Sequence, residues 1–168
     1  MSLDIRLARI DDRLIHGQVA TVWSKQTNVQ RILVISDVVA KDQLRKFLLK
    51  EAAPPGLHAH VIPVSKLLAI YKNEDFATER VMLLFTNPKD VVTLVKAGVK
   101  LSSLNIGGMS YSAGKRMLTN FISVDDADVA AFQYLASQNI ELEIRKVPAD
   151  RKIYLLDLLA KEKTSPSL

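Results

Sequence analysis

Cysteine is absent from the 168 residues, which excludes disulfides, cysteine-ligated zinc and thiol catalysis together. Glycine and proline number only six each, too few for collagen-like or low-complexity architectures. Aromatic residues make up 6% of the chain, and no block of like charges occurs. A nucleic-acid interface of clustered basic and aromatic side chains therefore has little support. No apolar run approaches the ~18 residues that a membrane helix requires, and the first residues lack a basic-then-apolar signal pattern. The expectation is a cytoplasmic protein.

What is present is an ordinary globular composition, 48% hydrophobic and 24% charged. It suits one domain over 1–168, with Thr164 to Leu168 as a frayed tail. Lys and Arg total 23 against 18 Asp and Glu, so the net charge is 23 − 18 = +5. An excess of this size suits either an anionic ligand or a slightly basic solvated surface. The chain shows no linker and no internal repeat.

Strand-like runs fall at about 3–10, 31–36, 57–63, 80–86, 102–107, 119–124 and 140–147. Ile32-Leu33-Val34-Ile35 and Val81-Met82-Leu83-Leu84-Phe85 are continuously apolar, as expected of strands covered on both faces of a parallel sheet. Helical stripes lie between the runs: Val19, Val22 and Trp23; Leu44, Phe47 and Leu48; Val64, Leu67, Leu68 and Tyr71; Val91, Leu94 and Val95; Val129, Phe132 and Ala136; Ile153, Leu156 and Ala160. Each is expected to pack on the sheet. Asn87 followed by Pro88 predicts a helix start, Gly98 its end, and Pro54-Pro55-Gly56 a chain reversal. The predicted fold is an open α/β architecture: a mostly parallel central sheet of about seven strands with helices on both faces.

In such sheets ligands bind outside the carboxyl ends of the strands. The segments there are Asp11 to Gly17, Ser36-Asp37, Thr86-Asn87 and Gly107 to Ser110. His16 stands out, because it precedes a helix expected to start near Gly17 and has Arg9 and Arg13 close in sequence. A helix start and two guanidinium forks favour an anion such as phosphate, and positive surroundings favour the neutral, nucleophilic ring. On spacing alone two readings stand: a phosphoryl acceptor, or a structural network that merely holds an anion. Asp11 can orient an arginine or the imidazole, while Asp12 and Gln18 are read as turn and surface residues. His58 and His60 share one side of a strand, but no further His or Cys completes a metal site. Gly107 to Arg116 fails the Walker pattern, since Met109 stands where its first Gly belongs and Arg116 replaces Ser or Thr. That stretch is read as a flap or docking loop, with Lys115 and Arg116 facing an acidic partner.

The stretch Ala8-Arg9-Ile10-Asp11-Asp12-Arg13-Leu14-Ile15-His16-Gly17-Gln18-Val19 resembles the active loop of the enzyme IIB component in the mannose/fructose/sorbose family of the bacterial phosphotransferase system. Leu84-Phe85-Thr86-Asn87-Pro88 and Asn105-Ile106-Gly107-Gly108-Met109 are similar to the same family, and the likeness runs from about 4 to 160. It implies that His16 takes phosphate on Nδ1 from a phosphohistidine of enzyme IIA. The phosphate then passes to a hexose translocated by the membrane subunits IIC and IID. L-sorbose is preferred on overall likeness, with mannose and fructose as alternatives. Arg13 and Asp11 are expected in the catalytic group, and Arg9, Gly17, Ser36, Thr86 and Gly107 as phosphate-binding or supporting residues. No cofactor, metal or nucleotide is expected, because the donor is itself a phosphohistidine. The competing expectation is a non-catalytic α/β module that binds an anion or regulates.

Overall fold

The computed structural model describes residues 3–164. Seven strands form one sheet in the order β3-β2-β4-β1-β5-β8-β9. These are β1 (Asp4–Asp11), β2 (Arg31–Ile35), β3 (His58–Ile62), β4 (Arg80–Phe85), β5 (Ser103–Gly108), β8 (Glu141–Ile144) and β9 (Ile153–Tyr154). All neighbours are parallel except β8 and β9. The helices are α1 (Val19–Thr27), α2 (Asp37–Ala40), α3 (Gln43–Glu51), α4 (Val64–Lys72), α5 (Pro88–Lys96), α6 (Asp126–Ser137) and α7 (Leu155–Thr164). The predicted α/β class and strand count match this architecture.

The two continuously apolar runs divide by parity. Leu33 and Ile35 of β2 and Val81, Leu83 and Phe85 of β4 enter one core. Ile32 and Val34 with Met82 and Leu84 enter the other. Successive side chains of a strand point to opposite faces, so a strand buried on both must be apolar at every position. The first core packs against Leu67 of α4, Leu94 of α5, Phe132 of α6 and Leu159 of α7. The second packs against Trp23 of α1, Val39 of α2 and Leu49 of α3.

Three expectations are corrected. The run over 119–124 is no member of the main sheet; β6 (Arg116–Thr119) and β7 (Ile122–Val124) pair antiparallel as a separate hairpin. Its neighbour in space is the end of β5, through a bridge between Met109 and Ile122. Leu44, Phe47 and Leu48 do not pack on the sheet but stand 68%, 58% and 55% exposed, and α3 buries only Leu49. This helix lies against β3 at the sheet edge, where no further strand extends beneath its other flank. The last stripe shifts by register: Ile153 belongs to β9, and α7 buries Leu155 and Leu159 in place of Leu156 and Ala160. The tail expected from Thr164 onward lies outside the described residues, apart from the backbone of Thr164 that closes α7.

The punctuation formed as the sequence implied. The Asn87 side chain accepts the Asp90 N–H at 3.1 Å, with Pro88 at the first helical position. Gly98 follows α5 with φ +104°, and the Val99 N–H closes back on the Leu94 carbonyl at 3.0 Å. Asn87→Ala should lower unfolding free energy in urea titrations by about 1 kcal/mol, the usual worth of such a cap.

Candidate active site

β1 lies between β4 and β5, so its carboxyl end opens toward two parallel neighbours. Asp11, its last residue, is completely buried. Oδ2 accepts from Arg9 Nη2 at 3.1 Å and meets His16 Nε2 at 2.9 Å. Oδ1 accepts the Arg13 backbone N–H at 3.1 Å and the Arg13 Nε–H at 3.3 Å. Burial on its own would raise the Asp11 pKa. The hydrogen bond from His16, the charge of Arg9 and the Arg13 amide outweigh it, and the carboxyl is held below its ordinary range. An ionised carboxylate only accepts hydrogen bonds. In the neutral His16 ring the proton therefore sits on Nε2, and Nδ1 keeps its lone pair.

The loop carrying His16 is anchored by its own apolar residues. Leu14 and Ile15 are buried in the core that holds Trp23, and Leu14 takes φ +60° to get there, an uncommon conformation for a branched residue. Gly17 follows at φ +50°, and α1 starts only at Val19. His16 stays one-quarter exposed, at 24%. It opens on a cleft of about 520 Å³ lined by Arg9, Asp12, Arg13, Gly108 to Tyr111, residues of the β6–β7 hairpin, and Lys146 and Val147 after β8.

The other predicted site residues divide. Arg9, 2% exposed, holds Asp11; burial lowers its pKa, with Asp11 acting against that. Gly107 accommodates this guanidinium, because a Cβ there would collide with Arg9. Ser36 and Thr86 do not meet His16. They line an adjacent cleft of about 510 Å³ with Asp12, Arg13 and Arg45. The Ser36 hydroxyl there caps α2 by accepting the Val39 N–H, and Thr86 Oγ1 accepts from Asn87. The exposed Arg13 borders both clefts.

Two readings of loops are revised. Asp12 is more than a turn residue: it accepts from the Ser110 N–H at 2.7 Å and hydroxyl at 3.0 Å, joining the loops after β1 and β5. Lys115 and Arg116, expected to face an acidic partner, already meet acidic groups of their own chain, Lys115 at Asp128 (3.3 Å) and Arg116 at Asp126 and Glu162 (3.1 and 2.9 Å). His58 and His60 sit on β3 and do not line the His16 cleft. His60 lies 3.0 Å from Arg31, and its pKa is lowered by burial and by that cation.

Sequence reasoning missed the residues behind Arg9. Asn105 of β5 accepts from Arg9 Nη1 and donates to Glu143 of β8 at 3.0 Å. Glu143 pairs with Arg145 through two bonds of 2.8 and 3.0 Å. The guanidinium carbons of Arg9 and Arg145 lie 5.3 and 5.1 Å from the Trp23 ring centre. Asn105 between the apolar Leu104 and Ile106 was an available signal; Glu143 was not, because β8 reads Glu-Leu-Glu-Ile, the alternation of a strand with one polar face.

Two outcomes follow from this geometry. Gly107→Ala should lose about 1–3 kcal/mol of stability in denaturant titrations, the usual range for overpacking. A carboxyl with a lowered folded-state pKa contributes stability that is complete above its unfolded value of ~3.9 and is lost as pH falls through the folded value. Unfolding free energy measured from pH 5 downward should therefore fall, and Asp11→Asn, less stable at neutral pH, should show a shallower acid slope.

Residues 5–167 match the family described as PTS system sorbose subfamily IIB component. The chain is 57% identical over 94% of its length to the mannose-specific EIIAB component of the phosphotransferase system in Escherichia coli K12, and covers 49% of that protein. It thus spans about half the length of these mannose-specific relatives. It is 50% identical to the sorbose-specific EIIB component of Lacticaseibacillus casei, over 94% of both chains. The crystal structure of the IIBSor domain of the sorbose permease from Klebsiella pneumoniae matches with a TM-score of 0.93 at 46% identity, covering 97% of this chain and 99% of that one. On fold, sequence and extent alike, the chain belongs to the sorbose-subfamily IIB components of the sugar phosphotransferase system.

Proposed function

We propose that the protein is a phosphocarrier that takes a phosphoryl group on Nδ1 of His16 from a phosphohistidine of enzyme IIA and gives it to a hexose held by the membrane subunits IIC and IID. The observation that carries this reading is the 2.9 Å contact between His16 Nε2 and the buried Asp11. It commits one ring nitrogen and leaves Nδ1 as the uncommitted one, on a ring that shares its cleft with Arg13. The Nδ1 lone pair forms the new N–P bond as the donor's N–P bond breaks and its electron pair returns to the donor imidazole. In the second step a sugar hydroxyl attacks phosphorus, the bond to Nδ1 breaks, and the hydroxyl proton leaves to solvent. Phosphoryl transfer of this loose kind depends on in-line positioning and on neutralising the equatorial oxygens. Arg13 is half-exposed, with one face on Asp11 and its fork free to meet those oxygens. Asp11 holds the ring, Arg9 holds Asp11, and Gly17 shapes the loop.

The IIA partner is supported by the E. coli relative, whose EIIAB name joins the two functions in a protein about twice the length matched here. A carrier that receives phosphate from IIA and meets IIC and IID works at the cytoplasmic face of the transporter; separately, among the described residues no helix is long and apolar enough to cross a membrane. For the sugar, likeness to mannose-specific relatives is 57% and to a sorbose-specific one 50%. L-sorbose, the preference from sequence, and mannose therefore both belong in the assay. The competing reading, an anion-binding module without turnover, has the Arg13 cleft in its favour.

Incubation with phosphorylated IIA separates the two. Wild-type protein, His58→Ala and His60→Ala should acquire an acid-labile, base-stable label, and His16→Ala should acquire none; a fully labelled His16→Ala overturns the assignment. Arg13→Lys should fold normally yet transfer about tenfold slower, since a point charge does not reproduce a planar fork. Rapid-quench rates decide this, and a wild-type rate would leave Arg13 without a part in transfer.

A further inference from the structure

We propose that Asn105 and Glu143 are positioning residues for His16, acting through Arg9 and Asp11 to commit Nε2 and leave Nδ1 as the nitrogen that meets phosphorus. The kinetic part of this rests on the phosphocarrier reading; the part concerning the ring does not.

The connections run without a gap. Glu143, 3% exposed, receives both Nε–H and Nη2–H of Arg145 and also the Asn105 amide N–H at 3.0 Å. That last bond settles which way the Asn105 amide faces. Its nitrogen points to Glu143 and the Arg145 carbonyl, and its oxygen is turned to Arg9 Nη1. Arg9 Nη1 is additionally held by the Arg145 carbonyl at 3.1 Å, which leaves Nη2 aimed at Asp11 Oδ2. The same oxygen accepts from His16. Charges alternate along the chain of contacts, from Arg145 to Glu143, then through a neutral amide to Arg9 and Asp11.

Burial gives the arrangement its force. Asn105 is 1% exposed, Arg9 2% and Asp11 0%, so none can exchange a lost partner freely for water. A guanidinium released from Asn105 keeps only the Arg145 carbonyl on Nη1, and Asp11, the carboxylate it already touches through Nη2, is the charge toward which it can turn. Arg9 would then compete with Nε2 for Oδ2 and free the ring to turn. Glu143 has two tasks: it pairs with Arg145, and by accepting the Asn105 amide N–H it turns that amide's oxygen to Arg9.

The test uses the full chain labelled with nitrogen-15. In the wild type at alkaline pH, His16 should show a slowly exchanging proton coupled to Nε2. Asn105→Leu, close in volume, should keep its circular dichroism spectrum but lose that signal to solvent exchange. It should accept phosphate about 10- to 100-fold more slowly, the usual range for loss of an orienting partner. Part of its phosphate should move to Nε2, distinguished by phosphorus-31 shift. Glu143→Gln keeps the side chain's volume and one acceptor oxygen, and should show the same changes in weaker form. Should Asn105→Leu fail to fold, Glu143→Gln decides on the same readouts. A lowered melting temperature with unchanged ring-proton exchange and unchanged phosphate position makes the network a scaffold only and overturns the proposal. A wild-type chain that takes no phosphate from any donor overturns the phosphocarrier reading instead, and the ring-proton comparison still decides this one.

Discussion

A carboxylate with no exposed surface is the constraint around which this molecule is arranged. Asp11 accepts four hydrogen bonds, from Arg9, from His16 and twice from Arg13. Removing an ion of this kind from water carries a penalty of several kcal/mol that only close, well-aligned partners offset. Each partner is consequently restricted in turn. Arg9 needs its own acceptors, which come from β5 and the residue after β8. The His16 ring is held by one nitrogen, and the Arg13 backbone is turned inward. Orientation of the loop is thus a consequence of satisfying one buried charge.

The sheet makes that burial possible. A central strand that ends between two parallel neighbours has its last side chain surrounded on both sides. Gly107 and Gly108 leave space for Arg9 and Asp11, where any side chain would press against them. Leu14, with its left-handed backbone, exchanges local strain for burial among Trp23, Val34 and Leu84. The loop is therefore stitched to the protein at both ends, by charge at Asp11 and by apolar packing at Leu14 and Ile15.

The walls of the cleft come from widely separated parts of the chain. Asp12 ties the first loop to Ser110, the hairpin closes one side, and the segment after β8 supplies Lys146. Trp23 belongs to this assembly through its indole N–H, which donates to the Lys146 carbonyl at 2.9 Å. It connects the helix that follows the His16 loop to the strand end opposite. Arg13, exposed and bordering two clefts, is a cation open to an incoming anion.

Amino-acid order alone dictates the alternation of strands and helices, because continuous apolar runs and 3.6-residue stripes are local signals. It also placed Asp11, Arg13 and His16 together, since they lie within six residues of one another. Helix caps such as Asn87 and Gly98 were legible for the same reason. Other assignments needed the tertiary structure. Whether the run over 119–124 joined the sheet depended on which partner strand was free, and the exposure of Leu44, Phe47 and Leu48 depended on α3 lying at the edge. Ser36 and Thr86 follow strands as expected, yet their hydroxyls serve the backbone near a neighbouring cleft. Asn105 stands 96 residues from Arg9, and Glu143 38 residues from Asn105. Only the parallel register of β1, β5 and β8 brings them into line, and no local pattern in the chain encodes which strand becomes whose neighbour.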